Sequence, residues 1–199
     1  QPRAQEAQVS NDGKELLYLN NSGRSIGRIT LPNTPEAKPE VKPALAGIVG
    51  DRAEYFLQLR DGTLAVIENY EDCVLRLYAP KGNNLKLTRE TKLEGSLFYG
   101  LAQDNGDEIM MLVPKQRNYP LKSNVEPGVY RTGVFGRSVT LQKDPRFDAI
   151  TLPEDLRGLA PVFSEGVLHG YLMNTYRATR DSLNGGDPSE LFYTRVLKE

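Results

Sequence analysis

Gly23-Arg24-Ser25-Ile26-Gly27 has the G-x-S-x-G spacing of a nucleophile elbow, the first place where residue types in this sequence invite chemistry. An elbow needs a strand before the serine, a helix after it and a histidine to take its proton. Here the residues that follow, Arg28 to Pro32, read as a β-strand, and the one histidine, His169, alternates with Leu168 and Gly170 in another apolar strand. A hairpin turn accounts for the same glycines. A lone imidazole without cysteine or histidine neighbours does not make a transition-metal site, so His169 reads as a hydrogen-bonded structural residue. Asp104-Asn105-Gly106-Asp107-Glu108 has the oxygen density of a calcium loop. It lacks the twelve-position ligand pattern and flanking helices of an EF-hand, and Asn-Gly is what a tight hairpin turn asks for. Glu71-Asp72 reads as a solvated break between strands, because glycosidase chemistry needs two carboxylates at a set separation. No Gly-rich phosphate loop of the P-loop or dinucleotide-binding type occurs. Cys73 is the single cysteine, which excludes an internal disulfide and a thiolate cluster; it reads as a buried structural thiol. The sequence therefore predicts no catalytic residue, no metal site and no cofactor, and a chain that is not an enzyme.

The elements that would hold any site are hairpins. Tyr55–Leu93 reads strand, Asp-Gly turn, strand, acidic break, strand, Gly-Asn turn, strand: a four-stranded antiparallel meander. Before it, Asp12-Gly13 and Ser22-Gly23 flank strands at Lys14–Leu19 and Ile26–Leu31, with Ile26, Arg28 and Thr30 sharing one face and Ile29 and Leu31 the other. After it come pairs at Leu97–Ala102 with Glu108–Val113, Val129–Val134 with Arg137–Gln142, and Leu159–Phe163 with Val167–Asn174, then a last strand at Leu191–Leu197. The one hint of helix is a single turn at Leu152–Leu156, with Pro153 at its start. No stretch sustains an i, i+3, i+4 apolar pattern, so the expected class is all-β. Residues 1–8 are polar and unpatterned and are expected to be disordered. Residues 9–199 are expected to form a single all-β domain. Within it, residues 32–43, with four prolines, form an extended Pro-rich loop.

A turn ending in glycine precedes an apolar strand four times: at Gly13, Gly62, Gly106 and Gly166. Strands apolar on both faces, in repeated four-stranded antiparallel meanders, suit a β-propeller; a hairpin-built barrel or sandwich is the alternative. Residues 9–32, VSNDGKELLYLNNSGRSIGRITLP, resemble a blade of the TolB-type, WD-like propellers, with Asp12, Gly13 and Lys14 at the blade-opening turn and Asn11 where the usual proline stands. Residues 170–197, with Gly185, Gly186 and Asp187 before the aromatic strand Leu191, Phe192, Tyr193, resemble another. The resemblance implies a propeller-like scaffold and covers about a quarter of the chain.

Lys+Arg 25 against Asp+Glu 26 leaves a net charge of −1, with no basic excess to advertise a nucleic-acid partner. No apolar run reaches the ~20 residues of a transmembrane helix. The chain starts at Gln1 in a polar stretch, which fits a mature N-terminus after leader removal and an arbitrary boundary equally. Binding is expected in loops, where a rigid sheet scaffold presents it. Residues 114–125 carry Lys115, Arg117, Tyr119 and Lys122 between prolines, and residues 174–190 carry Tyr176, Arg177 and Arg180 before Gly185-Gly186. Arginine beside tyrosine is enriched where protein partners bind. The expected function is a non-enzymatic protein-binding or scaffold module, an extracytoplasmic subunit of a larger assembly and open to association with a membrane complex. The alternatives are a propeller hydrolase acting on glycans and a β-barrel binding a small ligand.

Overall fold

Short runs that alternate apolar and polar residues pack by pairing edges, and sheets dominate this chain. The computed structural model describes residues 6–20, 24–34, 36–50, 53–69, 73–93, 99–103, 108–113, 126, 128–133, 142–147, 156–164, 167–175 and 191–195. They fall into two compact units, Gln1–Glu94 and Gly95–Glu199. The class is all-β: among the described residues there is one 3-10 turn, Pro145–Phe147, and no α-helix.

The first unit holds β1 (Ala7–Val9), β2 (Glu15–Leu19), β3 (Ser25–Thr30), β4 (Glu40–Ala46), β5 (Ala53–Gln58), β6 (Leu64–Asn69), β7 (Cys73–Lys81) and β8 (Asn84–Leu93). They form one sheet in the order β1-β2-β3-β4-β8-β7-β6-β5. All neighbours are antiparallel except β4 and β8, which meet in parallel at Ala46 and Asn84. The two ends of the sheet approach each other where Asn11 bonds to Gln58 and Leu59. The result is a mixed sheet nearly closed into a barrel.

The fold is therefore not a propeller. Propeller blades are separate small sheets, whereas here the N-terminal strands and the Tyr55–Leu93 meander are fused edge to edge. The joint is β4, which the Pro-rich composition hid. Within residues 32–43, Glu40 starts a strand that runs through Pro43. Proline is tolerated there because Lys42 pairs with Arg28 and Leu45 with Ile26, so β4 spends one residue more than β3 across Pro43 and Ala44. That bulge is where a missing ladder donor does least harm.

Leu17, Leu19, Ile26, Leu45, Phe56, Leu64, Val66 and Tyr78 meet on the inner face, with Ile48, Ala53 and Leu85. A barrel of about eight strands is just wide enough for side chains to fill it. Each large apolar group removed from water there contributes about 1.5–3 kcal/mol. The other face of β6 and β7 is buried too, at Ala65, Ile67, Leu75 and Leu77, which is why these strands read as continuous apolar runs.

The second unit holds β9 (Tyr99–Gln103), β10 (Glu108–Val113), β11 (Gly128–Gly133), β12 (Gln142–Lys143), β13 (Leu156–Ser164), β14 (Val167–Thr175) and β15 (Leu191–Arg195). They make a four-stranded sheet, β12-β11-β10-β9, and a three-stranded one, β13-β14-β15. Ile109, Met110 and Met111 are fully buried. The Asp144 carboxylate is buried as well, facing the Arg131 guanidinium at 3.6 Å. The helical turn expected at Leu152–Leu156 lies outside the described residues up to residue 155, and Leu156 opens β13.

Candidate functional site

Two of the four glycine turns end at the same rim of the barrel. In the first, Ser10 Oγ donates to Asp12 Oδ1 at 2.7 Å, which also accepts the Lys14 amide at 3.1 Å. The Gly13 amide donates back to the Ser10 carbonyl at 2.8 Å. In the second, Asp61 accepts the Thr63 amide and hydroxyl, both at 2.9 Å, and the Gly62 amide donates to Leu59. Gly13 at φ 72° and Gly62 at φ 87° supply the left-handed residue each turn needs. The Asp-Gly repeat seen in the sequence is thus a repeated turn with the same bonding. Gly106 and Gly166 lie outside the described residues.

Asn11 ties the two turns together. Its amide donates to Gln58 Oε1 at 2.9 Å, and its Nδ2 donates to the Leu59 carbonyl at 2.5 Å. Replacing Asn11 with alanine removes the side-chain bond and is expected to cost about 1 kcal/mol, read as a lower urea midpoint with an unchanged slope.

Between the turns lies an open cleft of about 410 Å³, lined by Ser10, Asn11, Asp12, Glu15, Arg28, Gln58, Arg60, Asp61 and Gly62. Its floor is an ion cluster on the inner face. The Glu15 carboxylate takes a bidentate contact from Arg28, Nε to Oε2 and Nη2 to Oε1, both 2.8 Å, and Lys42 Nζ at 2.7 Å. Glu15 is 13% exposed and Arg28 22%. The hydrogen bond from Arg28 holds the Glu15 carboxyl below its usual range, with Lys42 adding to it. At the rim, the bonds from Ser10 and the Lys14 amide lower Asp12. Both carboxylates are fixed in the charged form, as binding groups and not as proton donors.

A matching cluster stands at the other end of the inner face. Arg76 on β7 bonds Glu68 on β6 and Glu90 on β8, and donates to the Val49 carbonyl at 3.2 Å. The Val49 amide donates to Tyr78 Oη at 3.0 Å. The apolar interior is thus closed at both ends by charged groups that satisfy one another.

The residues singled out for binding from the sequence, Lys115, Arg117, Tyr119, Lys122, Tyr176, Arg177 and Arg180, lie outside the described residues. So do Asp104 to Asp107, Glu71 and Asp72. Ser25 opens β3, with its hydroxyl accepting from Asn20 Nδ2 at 2.9 Å, and a strand follows it, so no strand-to-helix elbow forms there. Gly27 lies under the Tyr18 ring, where a Cβ would collide with it. His169 is exposed on β14 and Cys73 is buried at the start of β7. Among the described residues no group of three or more His, Cys, Asp or Glu side chains has a metal-holding arrangement.

The cleft itself was missed because Glu15, Arg28 and Lys42 come from three strands, one of them hidden in the Pro-rich segment. One signal was present: Arg28 shares a face with Ile26, and a charge on a core-facing row needs a partner. A comparison with models of known protein families gives no match, and a comparison with curated proteins gives none either.

Proposed function

We propose that the chain is a non-enzymatic protein-binding module, a subunit of a larger assembly, whose N-terminal barrel presents the Ser10–Gly62 cleft as a docking rim. The observation that carries this reading is the state of the cleft's charged groups. Glu15 is locked between Arg28 and Lys42, Asp12 is held by its own turn, and both are lowered. A glycan hydrolase needs one carboxyl raised to act as acid beside an ionised partner, and neither of these is poised that way. A small ligand held inside the barrel is disfavoured because packed apolar side chains occupy the interior. What the cleft offers is a polar, two-signed surface on a rigid frame, with Arg60 and Gln58 at its margin. Paired charges at a rim give register and selectivity to a protein contact more than raw affinity.

The test is affinity capture from the native source with the full chain and with Arg60→Glu. The expected result is a stoichiometric partner held by the wild-type chain and weakened at least ~tenfold by the charge reversal, about 1.4 kcal/mol, in a variant whose circular dichroism still shows the all-β fold. A chain that stays a free monomer under native mass measurement, or that cleaves glycoside substrates, refutes the reading.

A further inference from the structure

The cleft adjoins an edge strand. β1 is the first strand of the sheet, and among the described residues no strand pairs with its far edge. The phase of its backbone is set by β2: the Glu6 carbonyl accepts the Leu19 amide at 2.9 Å, and the Ser10 amide donates to the Glu15 carbonyl at 2.8 Å. Glu6, Gln8 and Ser10 therefore turn their main-chain groups toward β2, and Ala7 and Val9 turn theirs away. Asn11 has the same phase as Ala7 and Val9, and its amide is taken by Gln58 at the rim. So the gap between the two ends of the sheet is bridged at Asn11 and, among the described residues, left without strand pairing along Ala7–Val9.

Edges of this kind are usually blunted by shortness, proline, lysine or a bulge. β1 is short, three residues, but has no proline, lysine or bulge: its sequence is Ala-Gln-Val, its register with β2 is regular, and Val9 is 54% exposed. The side chains beside that edge are sorted by face. On the outer face Val9 stands opposite Leu16, Leu16 opposite Ile29, and Ile29 opposite Val41, an apolar row across four strands. On the inner side stand Gln8 and Ser10.

We propose that β1 accepts an extended peptide segment of a protein partner as a further strand. This rests on the reading of the unit as a protein-binding module and names its mode. Main-chain bonds to Ala7 and Val9 supply the affinity, and alternation supplies the selection. Residues of the segment that fall beside Val9 are apolar and prolong the outer row. Those between them are polar and meet Gln8 and Ser10. A second copy of this chain is a poorer occupant, because its own β1 turns back at Asp12-Gly13 after three residues. Two such strands bury far less than the ~1,200 Å² of a stable interface.

The test uses the full chain and a capped eight-residue peptide of alternating valine and threonine, since main-chain recognition needs the pattern and no particular sequence. The expected result is exchange of the Ala7 and Val9 amides slowed at least tenfold by the peptide. Val9→Pro, which removes an outward donor and leaves the β1–β2 bonds intact, is expected to weaken binding at least tenfold without moving the melting curve. If that variant melts early, Ala7→Pro, which removes the other outward donor, serves in its place. The proposal is overturned if the two amides exchange as fast with saturating peptide as without. It is equally overturned if the proline variant binds as wild type does, or if sedimentation shows a dimer that the proline variant dissolves. A native partner captured equally by wild type and Val9→Pro would sink strand addition and leave the binding-module reading standing; Arg60→Glu tests the latter separately.

Discussion

Replacing Arg76 with methionine is expected to destabilise the first unit by about 3 kcal/mol, the size of effect seen when one partner of a buried ion pair is removed. Arg76 is 12% exposed and Glu68 16%, whereas Glu90, at 52%, is half in water. Without the guanidinium, Glu90 returns to solvent at little cost, but Glu68 is left charged at the end of an apolar interior. The Val49 carbonyl loses a donor as well. Methionine keeps most of the aliphatic stem, so the loss reports charge and not packing. A second substitution checks the cause: Glu68→Gln in the Arg76→Met background removes the stranded charge and is expected to recover more than half of the loss. Urea unfolding followed by circular dichroism measures both, and a single-variant loss under 1 kcal/mol would contradict the account.

The same cluster seats the loop between β4 and β5. Gly50, at φ 101°, lies directly on the Glu68 carboxylate and the Arg76 guanidinium, with no room for a Cβ. The loop is therefore held by a left-handed residue, a carbonyl on Arg76 and an amide on Tyr78. Burial pushes the Tyr78 phenol above its ordinary value, so it remains a neutral partner for the Val49 amide throughout the physiological range.

These parts differ in how far the sequence announces them. Asp12-Gly13 and Asp61-Gly62 were legible because an Asx turn ending in a left-handed glycine is a local object with a local signature. The facing of Ile26, Arg28 and Thr30 was legible for the same reason, since alternation along one strand needs no partner to define it. The joining of β4 to β8 was not. It is a single parallel contact between residues 38 positions apart, Ala46 and Asn84, and it depends on a strand that starts among prolines. Composition favours a loop there, and only the bulge at Pro43–Ala44, a feature of pairing with β3, makes a strand tolerable. Taken as a loop, that segment splits one sheet into two and makes a barrel look like blades. The two ion clusters were hidden for a related reason: each gathers three strands, so no spacing along the chain records them.

Stability is expected to fall as pH rises from about 4.5 to about 7, and Glu6 is the group responsible. It precedes β1 on the side that faces Leu19, and burial raises its carboxyl from the ordinary 4.5 to about 7. Below pH 4.5 it is protonated whether β1 is docked or released, and the docked strand carries no penalty. Between the two values the released form ionises freely and the docked form does not, so each pH unit favours release by about 1.4 kcal/mol. Above about 7 the docked carboxyl is ionised as well and the loss levels off, at roughly 3 kcal/mol in total. Glu15 acts in the opposite direction, because its lowered carboxyl contributes stability that disappears only as the pH falls through the acid range. The two together place the optimum on the acid side of neutrality. Since β1 is a three-residue edge strand, the loss is expected as local release before it appears as global unfolding. Amide exchange at Leu19, whose N–H is bonded to the Glu6 carbonyl, should therefore speed up between pH 5 and 7 beyond its intrinsic base catalysis. Glu6→Gln keeps the shape and removes the titration. It should exchange at Leu19 with the intrinsic slope alone and be more stable than wild type at pH 7.5 by more than 1 kcal/mol. Equal stability of the two proteins at pH 5 and at pH 7.5 would show that Glu6 does not titrate across this range in the docked strand.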